Sequence, residues 1–153
     1  MKNNILILII AGVVIIAVGT VVWNGTPSAD AMPITVYKSP SCGCCGNYAA
    51  YLKGKDFAPD IVERWDTEAV KAEFGVPMEL ESCHTSVVDG YVVEGHIPTE
   101  VIRKLLEEKP DIAGIALAGM PSGSPGMPGA KIGAFEIHKL TADGKDGGIF
   151  MNF

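Results

Sequence analysis

The stretch ITVYKSPSCGCCGNYAAYLK, residues 34–53, carries three cysteines within four positions, Cys42, Cys44 and Cys45. Ile34 to Lys38 is β-rich and alternates, which predicts a strand. Cys44 to Lys53 predicts a helix, with Tyr48, Ala49 and Leu52 turned inward. The thiols therefore fall at a strand-to-helix junction. Unpaired N–H groups and the positive end of the helix dipole stabilise thiolate there. Cys42 and Cys45 alone spell the C-x-x-C of a thiol redox pair. Disulfide exchange needs one attacking and one resolving thiol, so Cys44 adds nothing to it. A soft-metal site, or several metals bridged by thiolates, gains from every sulfur.

Working outward, Ile61 to Trp65 reads as a second strand. Thr67 caps a short helix through Phe74, and Gly75 ends it. Two β-rich runs flank Asp89-Gly90, a two-residue hairpin signal. Thr99 to Lys109 is an amphipathic helix with Val101, Ile102, Leu105 and Leu106 on one face, stopped by Pro110. Ile112 to Ala118 is a short apolar run, and Ala134 to Leu140 reads as a strand. Trp65, Phe74 and Tyr51 are expected as core or half-core aromatics. The order strand, helix, strand, helix, hairpin, helix is that of a thioredoxin-like α/β domain, here residues 34–153, with added C-terminal material.

The second constellation is SCHTSVVDGYVVEGHIP, Ser82 to Pro98. With Asp89-Gly90 as the turn, paired residue numbers sum to 179, and Cys83 stands across from His96. Cross-strand Cβ atoms lie about 4.5–5.5 Å apart, near enough to share a metal. His84 is then expected on the opposite face, although a bulge at Gly95 exchanges the two histidines. Glu94 is read as exposed or as an orienting partner for a histidine. His138 is read as a half-buried structural residue.

The third element is Gly119 to Gly129, GMPSGSPGMPG, in which seven of eleven residues are Gly or Pro. It must be a loop. It carries Met120 and Met127, whose thioethers suit Cu(I) because they need no deprotonation; the alternative is packing onto the domain. A closed Cys3His site suits zinc. Cu(I) prefers low coordination by sulfur and also takes methionine, so copper is favoured for an exported chain.

Export follows from the first residues. Ile5 to Trp23 holds no charge, and as a helix it measures about 28 Å, close to a hydrocarbon core. Residues 1–23 are read as a transmembrane anchor or a signal peptide, the latter cleaved near Ala31 after the A-x-A form of Ala29-Asp30-Ala31. Residues 24–33 are a polar linker. With Lys2 on the cytoplasmic side, the rest is expected in the periplasm, tethered to the inner membrane or released from it. The net charge of −6 without a basic patch argues against nucleic acid. All four cysteines, with Cys83 the fourth, lie in the exported part. Two structural disulfides are an alternative there, but adjacent Cys44 and Cys45 fit it poorly.

With its CGCC, SCHTSVVDGYVVEGHIP and GMPSGSPGM motifs, the sequence from Ile34 to Leu140 resembles the CopG-type copper-resistance proteins of bacterial envelopes. The resemblance implies a thioredoxin-like fold and a sulfur-rich copper site able to hold several ions. It also implies a role in copper resistance through interconversion of Cu(I) and Cu(II), which would make the chain a copper oxidoreductase. Carried over, the ligands are Cys42, Cys44, Cys45 and Cys83, supported by His96, Met120 and Met127. The expected partners are copper ions and other envelope copper-handling proteins. The rival readings are a thiol–disulfide oxidoreductase acting through Cys42 and Cys45, and a zinc-binding structural domain. One departure from thioredoxins fits the metal reading: where those enzymes place a cis-proline opposite the C-x-x-C, this chain has Ser82-Cys83.

Overall fold

Asp89 and Gly90 both adopt positive φ, 47° and 85°, as a type I′ hairpin turn requires. The hairpin is therefore where the sequence put it. Strands β3 (His84–Val88) and β4 (Tyr91–Glu94) pair in the expected register, from Val88 with Tyr91 to Thr85 with Glu94.

The computed structural model describes residues 30–153. The expected anchor or signal segment and most of the linker lie outside the described residues. No helix among those described is long and apolar enough to cross a membrane.

The hairpin joins a seven-stranded mixed sheet of order β2-β1-β3-β4-β5-β6-β7. Strand β1 (Met32–Lys38) leads into α1 (Gly43–Lys53), which returns to β2 (Phe57–Glu63), parallel to β1. Helix α2 (Thr67–Glu73) and a 3₁₀ turn (Met78–Leu80) precede β3, which runs antiparallel to β1. Helix α3 (Thr99–Glu108) crosses from β4 to the parallel β5 (Gly114–Ala116). Strands β6 (Glu136–Leu140) and β7 (Asp146–Asn152) extend the sheet antiparallel.

At its centre the sheet is buried on both faces. Val93 and Ile115 join the cluster that includes Tyr48 and Leu52 of α1 and Val101, Ile102 and Leu105 of α3. Their neighbours Val92 and Ala116 point the other way, into a smaller cluster with Val76, Leu80 and Leu140. Alternation along each strand produces this division. Tyr48, fully buried in α1, donates its hydroxyl to Ile97 O at 2.9 Å, which fixes α1 against the end of the hairpin.

Several local expectations need correction. Strand β1 begins at Met32, paired with Phe57, so the expected linker gives up Met32 and Pro33 to the sheet. Strand β2 starts four residues before Ile61 because the buried Phe57 anchors it; Pro59 is tolerated because β2 is the sheet edge. The cap of α2 is Asp66, whose carboxylate accepts from Ala69 N at 3.0 Å, and Thr67 is already helical. Trp65 is 81% exposed and contributes nothing to the core. Strand β7 went unread in the sequence.

Candidate metal centre

Two limbs of the fold meet at the site. The first is the start of α1, where Cys42 is the N-cap residue, makes no side-chain cap, and is followed by a first turn without an acidic residue. Nothing in that turn competes with a thiolate for the free N–H groups. Cys42 and Cys45 form a disulfide with a Cα–Cα distance of 5.4 Å. Cys44 and Cys83 are free. Cys44 Sγ lies 3.5 Å from Cys42 Sγ.

The second limb is the open end of the hairpin. Cys83 Sγ lies 3.5 Å from Cys45 Sγ, 4.0 Å from Cys44 Sγ and 2.9 Å from His96 Nε2. The structure thus brings Cys42, Cys44, Cys45, Cys83 and His96 together. It brings in His84 as well, whose Nδ1 lies 3.4 Å from Cys83 Sγ. The expectation that His84 faces away is therefore wrong. Alternation begins only at His84, the first residue of β3, whereas Cys83 sits in a bend before it. The bend turns the Cys83 thiol toward α1, on the side His84 already faces. The rings of His84 and His96 are 4.8 Å apart, and both lie against Tyr48, His84 tilted and His96 edge-on.

Two overlapping sets of donors result, Cys42, Cys44, Cys45 and Cys83, and Cys45, Cys83, His84 and His96, each with its ligand atoms within 4.8 Å of one another. Cys45 and both histidines are fully buried. His96 Nδ1 lies 2.6 Å from Pro125 O. A carbonyl can only accept, so Nδ1 carries the proton and Nε2 presents its lone pair toward Cys83. That is the arrangement of a metal-binding imidazole.

Burial shapes the protonation states. It pushes the His84 pKa down to about 3, helped by His96 and Lys71, and lowers that of His96. Both rings are neutral at neutral pH, the ligating form. Burial, then the adjacent Cys44, pushes the Cys83 thiol up to about 12. A metal arriving at Cys83 must displace a proton. His84 Nε2 is buried without a hydrogen-bond partner. Soft sulfurs, neutral imidazoles and an orphaned nitrogen fit a soft or borderline metal.

The methionine loop docks on the same limbs through its backbone. Pro125 O holds His96, and Gly126, at φ +80°, lies where an added Cβ would fall 2.7 Å from Tyr48 N. Met120 is exposed and Met127 half-buried. His138 is half-buried on β6, paired with Asp146 at 2.9 Å. Glu94, expected exposed or beside a histidine, is fully buried with Lys71.

A family model described as "Protein of unknown function, DUF411" matches residues 80–127. That span takes in Cys83, both site histidines and the two loop methionines, but not the CGCC. No curated protein sequence matches the chain. Two solved structures match it, named "Copper resistance protein copG", Form 2 and Form 1. Each is 38% identical to it and covers 80% of its length; 98% and 97% of their own chains are covered, with TM-scores of 0.73 and 0.72. The chain belongs to the CopG family. Within CopG proteins the alignment spans nearly the whole of the solved chains, so both limbs of the site fall in the shared domain.

Proposed function

We propose that this chain binds copper through Cys42, Cys44, Cys45 and Cys83, with His96 as a nitrogen donor, and acts in copper resistance. The observation that carries the proposal is the position of Cys83, within 4.0 Å of two other sulfurs and 2.9 Å of His96 Nε2. The family is named for copper resistance, and the donor chemistry suits that metal. Copper is the cargo here. The scaffold is thioredoxin-like: the parallel β1–β2 pair and the antiparallel hairpin beside β1 support that reading.

The residues divide the work by softness. Thiolates hold Cu(I), whereas the imidazoles also accommodate Cu(II), so one pocket serves both oxidation states and their interconversion. Met120 and Met127 add thioether donors from the covering loop. Reduction of the Cys42–Cys45 disulfide by an external dithiol, which gives up two electrons and two protons and leaves as its own disulfide, completes the thiol set. The protein works in the periplasm, tethered through residues 5–23 or released after cleavage near Ala31, and exchanges copper with other envelope copper-handling proteins.

The test is an anaerobic Cu(I) titration of the reduced protein against a competing chelator, repeated on Cys44→Ser and Cys83→Ser. Tight binding of more than one copper, weakened in both variants, is the expected result. Weak binding indifferent to both substitutions refutes the proposal. The Cys42–Cys45 disulfide favours a second reading, a thiol–disulfide oxidoreductase. That reading requires insulin-type disulfide reduction that survives loss of Cys44 and Cys83.

A further inference from the structure

On the sheet face opposite α1 and α3, a charged pair lies buried directly behind the metal centre. Lys71 of α2 and Glu94 of β4 are 3% and 0% exposed, and the Lys71 ammonium donates to Glu94 Oε1. The same carboxylate accepts from Ser82 N at 2.7 Å and from Thr85 Oγ1 at 2.6 Å. Lys71 Nζ also reaches Thr85 Oγ1 at 3.4 Å. Isolated buried charges are expensive, so such pairs persist only where their geometry is satisfied. This carboxylate is satisfied entirely by donors.

Its placement matters more than its stability. Ser82 is the residue before Cys83, in the bend that departs from strand alternation, and Glu94 is two residues before His96. The carboxylate therefore ties together the two segments that present the thiol and the imidazole. Two further contacts tighten the same junction. Gly95 N donates to His84 O at 3.0 Å. Gly95 itself, at φ +80°, passes so close to Ser82 that an added Cβ would lie 2.7 Å from Ser82 Cβ. Ser82 Oγ in turn donates to Gly119 O, at the root of the methionine loop.

We propose that Glu94, held by Lys71 and Thr85, is the positioning residue of the metal centre: by accepting the Ser82 N–H it fixes the bend that aims Cys83 at His96. The proposal rests on the copper-binding reading for its affinity measurement and stands apart from it for a copper-free one. Lys71 neutralises and supports the carboxylate, while only Glu94 reaches the bend.

The experiment uses the full chain in detergent, reduced and anaerobic, as wild type, Glu94→Gln, Glu94→Asp and Lys71→Met. A glutamine removes the charge and leaves a neutral amide oxygen to accept from both Lys71 and Ser82 N, which weakens the hold on the bend. An aspartate keeps the charge but retracts the carboxylate from Ser82. Both variants are expected to alkylate Cys83 severalfold faster than wild type without copper, with Cys44 unchanged. Both are expected to bind Cu(I) about 10- to 100-fold more weakly, the range for outer partners of a ligand. Lys71→Met is expected to lower Tm and to change the Cys83 rate and Cu(I) affinity less than either Glu94 variant, because Ser82 and Thr85 still hold the carboxylate once its counter-charge is gone.

Wild-type alkylation of Cys83 in the Glu94 variants overturns the proposal. So does a loss of affinity that tracks Tm equally in Lys71→Met. If Glu94→Gln does not fold, Glu94→Asp decides. If the wild type binds no Cu(I), the copper reading falls, and the alkylation rates alone decide the role of Glu94.

Discussion

The two limbs of the site are built on opposite principles. The α1 limb draws three sulfurs from four consecutive positions, two of them half-buried and one fully buried, with Cys42 and Cys45 already joined as a disulfide. The hairpin limb draws adjacent Cys83 and His84 from the start of one strand and His96 from beyond the end of the next, buries both imidazoles and locks its backbone with a buried carboxylate. One limb is reactive and locally specified, and the other is rigid and specified by tertiary contacts. On the copper-binding reading, the difference teaches that a sulfur-rich helix start makes a metal pocket by facing a stiff second wall.

Cutting the rigid limb has the largest expected effect. Cys83→Ser should weaken Cu(I) binding by more than the 10- to 100-fold typical of outer partners, because Cys83 belongs to both donor sets. Cys42→Ser, in the reactive limb, should cost less. Chelator competition on both variants ranks the limbs, and the reverse order breaks the comparison.

Acid should attack the rigid limb next. Burial lowers the His84 pKa from its ordinary value to about 3, so the unfolded chain takes up a proton near pH 6.5 that the folded chain refuses. Stability contributed by neutral His84 is present above about pH 6.5 and is lost as pH falls toward 3, at up to about 1.4 kcal/mol per pH unit. Urea unfolding of the copper-free protein should have this slope, and His84→Leu should flatten it. The thiol works at the other end. Because Cys83 is pushed up to about 12, its contribution is present below the ordinary thiol range and lost as pH rises from that range toward 12.

A smaller effect is expected where the loop meets α1. Gly126→Ala places a Cβ against Tyr48 N at positive φ, a conformation that costs about 1–2 kcal/mol for an L-residue. Thermal unfolding should report that loss, and the His96 ring resonances should shift as Pro125 moves. The smallest effect belongs to the methionines. Met120→Leu and Met127→Leu conserve packing and remove one thioether each, so Cu(I) affinity should fall only a few-fold and Tm should hold.

Much of the reactive limb was legible because its information is local: three cysteines, a strand before them and a helix after. The hairpin register was legible too, since Asp89-Gly90 permits one tight turn and the pairing then follows by counting. What failed was tertiary. Cys83 sits on a bend, where counting by twos no longer assigns a face, and so His84 was sent to the wrong side. Lys71 and Glu94 are 23 residues apart, and charged residues default to the surface. Nothing in their local pattern marks them as a buried pair. Strand β7 begins Asp-Gly-Gly and pairs with β6 through register shifts, which erases the alternation that reveals a strand.

Cys45 has one further consequence. It is the fully buried sulfur common to both donor sets and is also half of the disulfide. One atom cannot serve both bonds, so sulfur spent on the disulfide is withdrawn from both sets at once. On the copper-binding reading, the protein's loading capacity is then a gauge of its surroundings: open for cargo where reductant is plentiful, and shut where oxidant prevails.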